Sequence, residues 1–76
     1  MAVTTANNHA AVTPSDVTIF AESSIRVGGA GDIALVLEGS STAITYTALA
    51  GEQFPVNAVQ VLSTGTTATS IVRWFN

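Results

Sequence analysis

An all-β fold, a small antiparallel sandwich or barrel of six to seven short strands with an extended N-terminal arm, is what this sequence of 76 residues predicts. Three observations carry that expectation. The apolar runs are short and rich in β-branched residues, turn signals of glycine, serine and threonine recur roughly every 8–12 residues, and no segment has the 3.6-residue period of a useful helix.

The strand with the strongest signal is Ile33-Ala34-Leu35-Val36-Leu37-Glu38, apolar on both faces, which predicts a central position in the sheet or an interface on one face. It follows Gly28-Gly29-Ala30-Gly31-Asp32, where glycine tolerates positive φ, so a hairpin from Ile25-Arg26-Val27 is expected. Upstream, residues 1–12 lack any periodicity and contain an Asn-Asn pair that favours turns; they read as an arm, mobile in isolation or laid against a neighbour. Residues 13–76 form a single β domain. Pro14 breaks the chain, and the β-branched Val17-Thr18-Ile19-Phe20 favours a first strand.

Downstream, Gly39-Ser40-Ser41 is a turn. Ala43-Ile44-Thr45-Tyr46-Thr47 alternates with Ile44 and Tyr46 inward. In Glu52-Gln53-Phe54-Pro55-Val56 the proline cannot donate to a ladder and marks an edge or a strand end. Asn57 is expected to turn the chain into Ala58-Val59-Gln60-Val61-Leu62. After the turn Ser63-Thr64-Gly65-Thr66-Thr67, the segment Thr69 to Phe75 places Ile71, Arg73 and Phe75 opposite Val72 and Trp74.

Composition narrows the function. A chain this short buries only about 60% of its unfolded surface and usually needs a supplement. Cysteine is absent, and the one histidine, His9, has no second ligand of its kind, which leaves contact with other subunits or a larger partner. Charged residues are 9% of the chain with no lysine, against roughly 25–35% on the surface of ordinary small domains. Net charge of −3, with only Arg26 and Arg73 cationic, argues against binding to nucleic acid or an anionic membrane, which relies on clustered lysine and arginine. No apolar run approaches the roughly 20 residues of a spanning helix. The first residues lack the pattern of a signal peptide, so synthesis and folding in the cytoplasm are expected.

No constellation for catalysis, cofactor or metal is evident. The glycine segment is followed by a strand where a phosphate cradle needs a helix, so a plain turn is the favoured reading. His9 lies in the arm, and no nucleophile elbow accompanies it. Asp16, Glu22, Asp32, Glu38 and Glu52 are spread singly, without calcium-loop spacing, and read as solvated surface. Four residues stand out as interface candidates: Arg26, Arg73, Trp74 and Phe75. The arginines, flanked by apolar residues in strands, pair either with Glu38 or Glu52 or with an acidic partner residue. The aromatic pair is a core or interface element, or else a platform for a glycan.

Three blocks carry a resemblance. Val12-Thr13-Pro14-Ser15-Asp16, Ile25-Arg26-Val27-Gly28-Gly29-Ala30-Gly31-Asp32 and Val61-Leu62-Ser63-Thr64-Gly65-Thr66-Thr67-Ala68-Thr69 are similar to the head-spike base proteins of gene transfer agents and related tailed phages, over about Val12 to Phe75. The resemblance implies a non-enzymatic virion protein on the capsid exterior at vertices, a homo-oligomer, five-fold symmetry fitting that position, with the major capsid protein and a spike fibre as partners. A capsid decoration protein or a host-glycan-binding module is the alternative. The arm and the terminal strand are the expected contacts.

Overall fold

The computed structural model describes residues 6–76. Six strands are formed, β1 (Asn8–Ala11), β2 (Ser23–Gly29), β3 (Gly31–Leu37), β4 (Ile44–Ala48), β5 (Gln53–Val61) and β6 (Thr69–Phe75). They make one antiparallel sheet in the order β1-β6-β2-β5-β3-β4. The all-β expectation is met, with no helix among the described residues.

The sheet curls because β5 is shared. Its first half pairs with β2 (Gln53 opposite Arg26, Phe54 opposite Ile25) and its second half with β3 (Gln60 opposite Val36, Val61 opposite Leu35). Ala58 is the crossing point, opposite Ser23 on one flank and Leu37 on the other, and both ladders shift register beside it. Such bulges bend a strand and raise its twist. The two halves therefore fold over a common core of Ile25, Val27, Ile33, Leu35, Ala58, Val61 and Ile71. Each fully buried aliphatic side chain there contributes about 1.5–3 kcal/mol relative to exposure.

Alternation along the strands builds this core. Ile25 and Val27 on β2 and Ile33 and Leu35 on β3 are almost completely shielded from solvent. Leu37, Tyr46, Phe54 and Val56 pack at its margin. Ile44 lies on the same face, opposite Leu35, yet is 55% exposed, with no strand among the described residues flanking β4 on its far side. The inward expectation holds for its direction and not for its burial.

The glycine segment is not a hairpin. β5 lies between β2 and β3, and a single residue, Ala30, separates the two strands in the chain. The chain instead turns a corner and runs on. Gly28 sits against Ser70, where a Cβ would lie 2.7 Å from the serine Cβ. Gly31 has φ +153° and would bring a Cβ within 2.7 Å of the Ala68 nitrogen. The glycines are there because β6 and the segment before it approach so closely.

Other differences follow the same logic. Val17–Phe20 forms no strand: residues 12–20 cross from β6 to β5, with the N–H groups of Val12, Ser15 and Phe20 donating to the carbonyls of Ile71, Val61 and Val59 at 2.8–2.9 Å. Val17 and Ile19 are left exposed. Asn57 does not turn the chain, since β5 is continuous through it. Pro55 stands inside that strand, between Gln53, where the β2 pairing starts, and Ala58, where the β3 pairing starts, so its β3 flank is locally an edge. Part of the expected arm is also sheet: Asn8–Ala11 pairs with β6, while residues 1–5 lie outside the described residues.

Threonine hydroxyls complete the ladder where the backbone departs from it. The Asp32 and Ala34 N–H groups donate to Thr67 Oγ1 (2.9 Å) and Thr66 Oγ1 (3.0 Å). The threonine-rich turn therefore serves as the missing neighbour of β3's first half.

Candidate functional site

β6 carries three of the four interface candidates, and alternation divides them between its faces. Arg73 and Phe75 point to the core side, with Ile71. Trp74 points to the other side, in register with Ser24 on β2 and His9 on β1. Arg26 shares the Trp74 face, since it lies opposite Val72. Its guanidinium reaches toward Gly51, 3.6 Å from where a Cβ would stand.

Arg73 finds neither Glu38 nor Glu52. Its Nη1 donates to Ser23 Oγ at 3.1 Å, and its guanidinium carbon lies 4.1 Å from the Phe75 ring centroid and 5.1 Å from that of Phe20. A delocalised planar cation between two ring faces is favourable by roughly 0.5–2 kcal/mol per contact. The Ser23 hydroxyl donates onward to the Ala21 carbonyl at 2.7 Å, which ties the crossing segment to β2. The structure thus brings Arg73 and Phe75 together in a brace that holds Phe20. Neither Phe20 nor Ser23 was singled out from sequence; the only signal was an aromatic at the end of a β-branched run.

On the opposite face, Trp74, His9, Asn8, Asn7 and Ala6 line an open cleft of about 390 Å³. His9 is here a strand residue facing an indole, with no serine–aspartate relay around it. Tyr46 is occupied as well, meeting Phe54 edge-on at 5.5 Å between centroids.

Three of the five carboxylates hold local structure. Asp16 accepts from the Thr64 N–H (3.0 Å) and hydroxyl (2.7 Å), bonds that hold its carboxyl below the ordinary value of 3.8. Glu52 accepts from the Leu49 N–H at 2.8 Å, and Asp32 from the Thr47 hydroxyl at 3.3 Å. Among the described residues no three metal-ligating side chains cluster. No helix there is long and apolar enough to cross a membrane.

Neither a family model nor a curated protein matches the chain. A solved structure does. A chain of "Capsid of native GTA particle computed with C5 symmetry" is 43% identical, with a TM-score of 0.80, over 92% of this chain and 83% of that one. The chain belongs to the family of this GTA capsid component, among the structural proteins of gene transfer agents and phages.

Proposed function

We propose that the chain is a non-enzymatic structural virion protein of the head-spike base type, which sits on the capsid exterior at vertices and carries a spike or fibre. The observation that carries this reading is the 43% identity to a chain of a GTA capsid. The side chains agree with it. Arg73, Ser23, Asp16, Asp32 and Glu52 are engaged within the fold, and what remains outward is a low-charge surface of threonine, serine and apolar residues, Val17, Ile19, Ile44 and Leu49 among them, suited to contact with copies of itself, with the major capsid protein and with a fibre. Arg26 and Trp74, on the face away from the brace, are the candidates for those contacts.

The experiment is removal of the chain from a producing cell, followed by electron microscopy of the purified particles. Intact capsids that have lost their vertex projections are expected. Capsids that keep every projection would overturn the spike-base role.

A second reading, a glycan-binding module, has one observation in its favour: Trp74 and His9, opposite each other on one face, are among the residues that line the open cleft. Trp74 fluorescence titrated with host-surface sugars tests it, and an unchanged spectrum would remove it.

A further inference from the structure

Among the described residues, both ends of the sheet are open. β1 pairs only with β6, and β4 only with β3. Natural edges are usually blunted by lysine, proline, inward charge or a bulge. Asn8–Ala11 and Ile44–Ala48 contain no proline, no lysine, no arginine and no carboxylate, and their ladders run without a register shift.

The ladders fix which groups are free. Asp32 and Ala34 turn their backbone away from β4, because their N–H groups donate to Thr67 and Thr66 hydroxyls and their carbonyls accept from Thr67, Ala68 and Leu62. Bonded and non-bonded pairs alternate in an antiparallel ladder. The β3 residues bonded to β4 are therefore Gly31, Ile33 and Leu35, opposite Ala48, Tyr46 and Ile44. Thr45 and Thr47 are left with N–H and C=O directed out of the sheet. On β1, Val12 donates to Ile71, which by the same alternation turns Ala10 and Asn8 toward β6 and leaves His9 and Ala11 directed outward.

We propose that β4 of one copy pairs with β1 of a second copy, Thr45 opposite Ala11 and Thr47 opposite His9, so that the sheet continues from subunit to subunit. Direction, hydrogen-bond phase and face are all compatible with this junction. Direction matches, because six alternating strands make β1 and β4 run oppositely, and a neighbour in the same orientation presents β1 antiparallel to β4. Hydrogen-bond phase matches, since each edge offers two outward residues spaced by two. Face matches, because Thr45 and Thr47 lie opposite the core side, as do His9 and Ala11. In this register Ala10 faces Tyr46, a small residue beside a ring, and Val12 lies beside Ile44 and covers it.

A foreign strand would satisfy one edge and leave the other open. A second copy satisfies both, and the contact, being head-to-tail, closes into a ring when its rotation allows. The inference rests on the proposed function only in that the chain works through assembly.

The test uses the absence of cysteine from the sequence. Ala11→Cys and Thr45→Cys variants are prepared separately, mixed and cross-linked with a short bis-maleimide, which adds one thiol at each end, with Thr18→Cys on the exposed crossing segment as the control. The expected result is a mixed 11–45 dimer, at least tenfold over either variant alone or either with the control. Thr45→Pro, which removes an outward donor and none of the bonds to β3, is expected to shift the native mass spectrum toward monomer at unchanged far-ultraviolet circular dichroism. Cross-linking of Thr45→Cys with itself, or no enrichment of the mixed dimer, overturns the junction. A chain that cross-links as expected yet is missing from particles would instead refute the virion role, so the two failures are distinct.

Discussion

Arg73 shows how a single cation can be structural in a chain that has only two arginines and no lysine. Its planar fork bonds Ser23 while its faces meet Phe20 and Phe75. A lysine keeps the charge and loses the plane, so Arg73→Lys is expected to cost about 1–2 kcal/mol in urea unfolding. A loss of a few tenths would mean that the ring contacts contribute little. Gly31 answers to sterics. With φ at +153° and the Ala68 backbone beside it, Gly31→Ala is expected to cost about 3 kcal/mol, read as a lowered denaturation midpoint at unchanged slope. Asp16 answers to pH. Its folded value is depressed by the two bonds from Thr64, so its contribution is fully present above 3.8 and is lost as pH falls below 3.8 through the folded value. Thermal melts should show wild type losing more stability than Asp16→Asn across that window. Parallel pH profiles would sink the assignment. The carboxylate is fully exposed, so the effect is modest.

At the scale of elements, the sequence was informative where pattern is local. β3 was legible from its two-sided apolar run, β4 and β6 from alternation, and Arg73 with Phe75 on one face of β6 from their i, i+2 spacing. The rest depended on contacts distant in the chain. Asn8–Ala11 has no β-branched residue and is a strand only because β6 offers it a ladder. Pro55 and Asn57 read locally as breaks, yet β5 continues through them because β2 and β3 use different halves of it. The glycines read as a hairpin because glycine permits turns, when their reason is the approach of Ser70 and Ala68. The brace was illegible for the same cause: Ser23 lies 50 residues from Arg73. Ala58, fully buried where the ladders meet, is the pivot of this arrangement. Ala58→Leu is expected to cost about 1–3 kcal/mol by overpacking, measured by chemical denaturation, whereas Val59→Leu, whose side chain is half-buried, should be nearly neutral. Equal effects at both positions would argue against Ala58 as the closure point.

For the whole molecule, a core of this size leaves little margin, and neither disulfide nor metal cluster among the described residues adds to it. The structure compensates internally by curling one sheet on itself and by filling gaps in the ladder with threonine hydroxyls. It leaves two unguarded edges and a surface low in charge, which is what a subunit of a larger shell offers its neighbours. Membership of a GTA capsid family gives that surface its context. As a built-in part of a particle, this chain should stay with it on purification. Quantitative mass spectrometry of gradient-purified particles is expected to find the chain in the particle fraction at a fixed ratio to the major capsid protein, unchanged through further rounds of purification. Recovery only among the free soluble proteins, or a ratio that falls with each round, would contradict it.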